Sequence, residues 1–167
     1  STPAEPVSGP TPATRTMAMN PRWLPWLLLP ALAACSSYGP GALRPGLGAA
    51  QVEADMGPAT GRYPRPEGGT RLEFARGPFG KHTYMVDLDA AGRVERWEQV
   101  LREDLFNQVA PGMRSSELRY RLGRPGDVMG IWRGATVWSW RYESPFCVWF
   151  RVTVERDGTV RDSGYGP

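Results

Sequence analysis

The chain has 167 residues, 20 basic against 17 acidic, with a formal net charge of +3. That length suits one ordinary domain or two very small ones sharing a core. The charge is too mild to imply a nucleic-acid partner, and a single histidine with two cysteines offers no cluster for a metal site or a catalytic dyad.

Residues 1–34 are not expected to belong to the fold. Ser1 to Arg15 is rich in Pro, Thr and Ala and lacks apolar periodicity, so it reads as disordered. Asn20-Pro21-Arg22 is a short basic region, Trp23 to Ala31 an apolar one, and Leu32-Ala33-Ala34 closes it with small residues. This is the organisation of a secretory signal. A membrane span needs about 20 apolar residues, and this run is shorter and interrupted by Pro25 and Pro30. Removing residues 1–34 takes away Arg15, Arg22 and Glu5 and leaves a net charge of +2.

Residues 35–45 read as a flexible tether of Ser, Gly, Pro and Ala. Gly48 to Met56 reads as a short helix with Val52 and Met56 on one face and Gly57 as its stop. Pro58 to Gly69 reads as a turn-rich loop. Leu72 and Phe74 alternate with polar residues as one strand, and Tyr84, Val86 and Leu88 as the next. Gly77-Pro78-Phe79-Gly80 joins them, and Asp89 to Gly92 turns the chain into a third strand, Arg93 to Val100.

The second half runs through the same order. Leu101 to Val109 and Ser115 to Leu122 read as helices, the latter stopped by Gly123. Trp138, Trp140 and Tyr142 share one strand face, and Val137, Ser139 and Arg141 the other. In the next strand Phe150, Val152 and Val154 oppose Trp149, Arg151, Thr153 and Glu155. Asp157-Gly158 favours the positive backbone angles of a hairpin turn into Val160.

A gap-free offset of 66 residues links the halves. Pro45-Gly46 returns as Pro111-Gly112, Gly57 as Gly123, Thr70 as Thr136, Val86 as Val152 and Gly92-Arg93-Val94 as Gly158-Thr159-Val160. Apolar positions follow, with Leu72 and Phe74 answered by Trp138 and Trp140. A repeat fixes the architecture before single elements are read. The expected class is α+β, in two tandem units: 46–100 and 101–167. Each has one or two short helices and a three-stranded antiparallel meander, with its apolar sheet face under helices and its polar face towards solvent or a partner.

Two resemblances follow from these residues. Leu32-Ala33-Ala34-Cys35 resembles the bacterial lipobox. That resemblance implies cleavage before Cys35, acylation of Cys35, and, with Ser36 rather than Asp following, export to the outer membrane. Pro111-Gly112-Met113, Leu122-Gly123-Arg124-Pro125, Trp138-Ser139-Trp140-Arg141-Tyr142 and Asp157-Gly158-Thr159-Val160 resemble the BamE family, also called SmpA/OmlA. These are small outer-membrane lipoproteins that accompany the β-barrel insertion machinery. The resemblance covers the chain from about Pro45 and is clearest from Val109 to Val160. It departs from the family in two ways. Arg114 stands where the family carries a helix-capping hydroxyl, so Ser115 or Ser116 is expected to cap. The tandem unit is similar instead to the β-lactamase-inhibitor-protein arrangement, in which paired sheets grip another protein.

The functional expectation is a non-enzymatic, lipid-anchored binding or assembly-scaffold protein at the periplasmic face of the outer membrane. Its partners would be the membrane, through acyl chains on Cys35, and an envelope protein. The alternative is an inhibitor of a periplasmic enzyme. No cofactor or metal is expected. Trp97, Trp132 and Trp149 fall outside the predicted core stripe and, with Arg151, are the candidate partner-binding residues. An enzyme would have to centre on His82 or Asp87. Asp87 and Asp89 read instead as a solvated acidic edge. Cys147, inside Phe146 to Phe150, reads as a small buried hydrophobe.

Overall fold

A computed structural model of the chain describes residues 39–76 and 80–167. The signal-like residues 1–34, Cys35 and the start of the tether lie outside the described residues, as does the Gly77-Pro78-Phe79 turn. The first unit holds α1 (Ala49–Met56), β1 (Gly61–Pro64), β2 (Thr70–Arg76), β3 (His82–Leu88) and β4 (Val94–Gln99). The second holds α2 (Glu103–Phe106), α3 (Ser115–Leu122), β5 (Asp127–Gly130), β6 (Thr136–Arg141), β7 (Trp149–Val154) and β8 (Val160–Gly166). Each unit is an antiparallel meander, ordered β1-β2-β3-β4 or β5-β6-β7-β8, and neither sheet closes into a barrel.

Each sheet therefore has four strands where three were expected. β1 falls in Pro58 to Gly69, which reads as a turn-rich loop, and β5 falls between Gly123 and Trp138, where the sequence assigns no element. Pro64 ends β1, and all four residues of β5 are exposed, so neither strand shows the apolar alternation that marks a half-buried strand. Both are edge strands, where such sequences are tolerated.

The 66-residue offset holds in the backbone. Both sheets carry a register shift at the equivalent place, Asp87/Leu88 and Thr153/Val154. The isolated bridges Gly48–Arg93 and Arg114–Thr159 correspond residue for residue. So do the hydrogen bonds that seat each helix, from Ala49 N–H to the Gly92 carbonyl and from Ser115 N–H to the Gly158 carbonyl. The latter holds the start of α3. Arg114 is its N-cap and no side chain caps it, so the expected role of Ser115 or Ser116 is supplied by the turn of the β7–β8 hairpin.

Two apolar cores follow. The first gathers Val52, Leu72, Phe74, Val86, Leu88 and Val94. The second gathers Phe106, Leu118, Leu122, Trp138, Trp140, Phe150 and Val152. Phe106 stacks on Phe150 with ring centroids 4.3 Å apart. α2 exists to deliver Phe106. It is one turn long, shorter than the expected Leu101-to-Val109 helix, and Phe106 is its buried residue.

Met85 joins the second core although it lies on β3 of the first sheet. It sits on the face of that sheet opposite Leu72, Phe74 and Val86. This polar face, expected to meet solvent or a partner, receives the C-terminal end of α3.

Candidate functional site

The outer face of the first sheet carries Arg71 and Glu73 on β2 and Thr83, Met85 and Asp87 on β3. Arg71 and Asp87 are direct cross-strand neighbours. Arg71 donates Nε–H and Nη2–H to the two oxygens of Asp87 at 2.6 and 2.8 Å, and Arg96 donates to the same carboxylate at 2.8 Å. Asp87 is only 2% exposed and Arg71 5%, so the expected solvated acidic edge is a buried ion cluster. Burial works to raise the Asp87 carboxyl, but the Arg71 fork and the charges of Arg71, Arg96 and Arg65 outweigh it and hold the group below its ordinary value. Asp89, by contrast, caps its own hairpin turn by accepting from Ala91 and Arg93 N–H.

Glu73 is fully buried. Its carboxylate accepts from Thr60 Oγ1–H at 2.8 Å, Tyr63 O–H at 2.5 Å and the backbone N–H of Arg124 at 3.1 Å. Burial, followed by the hydrogen bond to Glu73, pushes the Tyr63 phenol well above its usual value. Arg124 belongs to the second unit, so Glu73 ties the units together. The Arg71 guanidinium does the same, stacking 4.5 Å over the Tyr120 ring and donating to the Tyr120 carbonyl at 3.2 Å.

Gly123 makes this approach possible. A Cβ there would stand 2.9 Å from Thr83 Cγ2 and 3.1 Å from Glu73 Cδ. Its backbone (φ 78°, ψ −170°) lies in a region that is essentially glycine's alone. Between the helices and this face remains a cleft of about 460 Å³ lined by Arg71, Arg96, Glu98, Glu117, Tyr120 and Arg121. Its acids and bases are paired with one another, as in Arg71–Asp87 and Arg121–Glu117, which leaves no surplus charge to attract an ion.

The equivalent face of the second sheet holds Val137, Ser139 and Arg141 from β6 and Trp149, Arg151 and Thr153 from β7, and its central Ser139 and Thr153 are buried. Trp149 is half-buried, with Arg141 5.6 Å from its ring centroid. Arg151 is exposed and donates to the Pro167 carbonyl. Of the four candidate partner residues, only these two share a face. Trp97 pairs across from Val86 on the apolar side of the first sheet and packs against its core. Trp132 is 83% exposed in the 3-10 turn Trp132–Gly134, beside Arg133 with φ 64°.

Cys147 is exposed, not buried. It belongs to the Glu143-to-Val148 loop, which precedes β7 rather than forming part of it. His82 approaches Glu143 at 3.8 Å. Among the described residues, no group of three His, Cys, Asp or Glu side chains could hold a metal ion, and no helix is long and apolar enough to cross a membrane. Comparison with known proteins found no matching family model, no matching curated protein and no matching solved structure.

Proposed function

We propose that this chain is a lipoprotein of the bacterial cell envelope, anchored in the outer membrane through Cys35, whose two-unit domain is a protein-binding or assembly-scaffold module. The reading extends to assistance in outer-membrane β-barrel assembly, through the BamE-like motifs. The observation that carries it is the joining of two features: a lipobox-like Leu32-Ala33-Ala34-Cys35 and a domain whose second sheet sets a half-buried Trp149 beside an exposed Arg151 on one face. Two or more acyl chains would give stable anchoring, since each buried methylene contributes about 0.8 kcal/mol.

Two measurements test the reading. Metabolic labelling with a radioactive or clickable fatty acid should mark the wild type and not Cys35→Ser, and an unlabelled wild type would refute the anchor. Affinity purification from solubilised membranes should recover a discrete partner that Trp149→Ala with Arg151→Glu releases. Recovery unchanged by that pair of substitutions would remove the face from the proposal. Inhibition of an envelope hydrolase by the purified domain, with no stable envelope partner, would favour the inhibitor role over the scaffold role.

A further inference from the structure

The two units point their hairpin turns the same way. In the first unit, Arg65 in the β1–β2 turn donates to the Leu88 carbonyl at the start of the β3–β4 turn. In the second, the β5–β6 turn is closed by a bond from Ile131 N–H to the Ala135 carbonyl, and its Gly134 lies against the side chain of Arg156 in the β7–β8 turn. α3 relates the two pairs. Its first residue, Ser115, bonds to Gly158 in the β7–β8 turn, and Ser116 and Glu117 share a cleft with Pro64 and Pro66 of the first unit. Past its other end, Arg124 reaches Thr60, just before β1. All four turns therefore lie at one end of the molecule. The chain also enters the fold there. Gly46 N–H bonds to the Val94 carbonyl, and Arg93 donates to the Gly46 carbonyl.

At matched positions the two β-turn tips differ in kind. In the first unit Arg65 is buried and pairs with Glu67 and Glu95, and Pro66 lines a cleft against α3. In the second, Ile131 stands for Arg65, Trp132 for Pro66, Arg133 for Glu67, Arg156 for Ala90 and Arg161 for Glu95. Two acids have thus become arginines, and a proline has become a tryptophan that is 83% exposed. The remaining acids are engaged. Glu155 and Asp162 hold Arg161, and Asp157 accepts from Thr159 within its own turn. Arg133 and Arg156 are exposed and form no ion pair with the described residues. The surplus charge of this tip is positive.

The backbone holds Trp132 outward. Arg133, next to it, adopts φ 64° and ψ 20°, a left-handed conformation uncommon outside glycine. Strain of this kind collects where a site needs it. Behind Trp132, Met129 and Val128 continue the exposed apolar surface along β5. An indole at a tip, flanked by unpaired arginines and backed by apolar side chains, matches a surface that is anionic outside and apolar beneath. A bilayer is such a surface: tryptophan concentrates at its interface, and arginine is drawn to anionic head groups.

Chain length favours lipid over a protein at this place. Four residues separate Cys35 from Gly39, a reach of at most about 14 Å, and Leu43 is already in the first core. An acylated Cys35 therefore brings some part of the domain onto the bilayer, and the chain enters the fold at the end that carries Trp132. Resting on the lipid anchor proposed above, we infer that this end of the domain lies on the membrane, with the Trp132 indole in the interface and Arg133 and Arg156 on head-group phosphates. The strands then stand away from the bilayer, and the loop carrying Cys147, at the opposite end of β6, points away from it.

Depth-dependent quenching tests this orientation. Native Cys147 is exposed and supplies a probe site at the far end. Met129→Cys in a Cys147→Ser background supplies one beside the tip and leaves Trp132 in place. Each full-length lipoprotein is labelled with an environment-sensitive fluorophore and reconstituted into vesicles of phosphatidylcholine and phosphatidylserine, in a ratio of about three to one, that carry a nitroxide-labelled lipid. Flotation confirms association. The Met129-site probe should be quenched about threefold more than the Cys147 probe. Trp132→Ala should abolish that difference and Trp132→Phe should keep most of it, with circular dichroism unchanged because Trp132 lies outside both cores. Arg133→Glu with Arg156→Glu should lower the quenched fraction about fivefold. Floated protein quenched equally at both sites would overturn the orientation and leave the anchor standing, as would a difference that survives Trp132→Ala. Protein that does not float would overturn the anchor and the orientation together. Equal quenching, with the Met129-site thiol cross-linking to an envelope protein in isolated membranes, would assign Trp132 to that protein and overturn lipid as its partner.

Discussion

Asp87 illustrates how one residue can change meaning between sequence and structure. Alternation places it on the polar side of β3, and an aspartate on such a face normally stays in water. Its cross-strand neighbour is Arg71, and the helix of the next unit dehydrates both. A buried ion pair adds little net stability compared with apolar residues, yet breaking one strands the survivor. Asp87→Asn should therefore cost about 3–5 kcal/mol, measured by urea unfolding at neutral pH. The sign of the acid response follows from the lowered folded-state value. The carboxylate contributes stability above its unfolded value of about 3.9, and that contribution is lost as pH falls through the still lower folded value. Urea midpoints of the wild type should drop steeply below about pH 4, and Asp87→Asn should flatten that limb. An equally steep limb in the variant would mean that other carboxylates govern it. Gly123 makes a second case. Gly123→Ala needs a backbone angle foreign to alanine and pushes a methyl against Thr83 and Glu73, so a loss of about 2 kcal/mol or more is expected by thermal denaturation.

α3 is the element on which the architecture turns, because it serves two sheets. Leu118 and Leu122 face the second core, while Tyr120 and the Gly123 end lie on the first sheet. Its apolar side was legible from the spacing of Leu118 and Leu122. Its second contact was not, because Tyr120 and Gly123 look like an exposed aromatic and an ordinary helix stop. Leu118→Ala should cost about 2–5 kcal/mol. It should also loosen the first sheet, which amide exchange of β2 and β3 would report as reduced protection. Unchanged exchange there would show that α3 is not shared. The strands whose side chains alternate, β2, β3, β6 and β7, were readable for the same reason that core helices are. β1 and β5 were hidden because edge strands bury little and their pairing is set by backbone groups. The partner candidates divided likewise. Trp149 and Arg151 share a face because both follow the period of β7. Trp97 packs against the first core because the pairing of β4 with β3 sets its face, and the sequence of β4 alone does not show that pairing.

Across the whole molecule, the described residues belong to one compact body, Ser36–Pro167, with two cores joined through Met85, Arg71 and Glu73. The units should therefore unfold in one cooperative transition rather than two. A chain ending at Val100 would expose Arg71, Glu73 and Asp87 to water and lose the α3 cover. It should show no cooperative thermal transition, and a sharp one would mean that the first unit is self-sufficient. The repeat, legible at a fixed offset, predicted the two-unit plan, but the stacking of one unit on the next depended on a few long-range contacts with no local signature. The shared helix also couples solvation to assembly. Arg71 and Asp87 lie on one sheet face, and it is Tyr120 and Gly123 that cover them. The two charges are therefore dehydrated together, as a pair already in contact, and not one at a time.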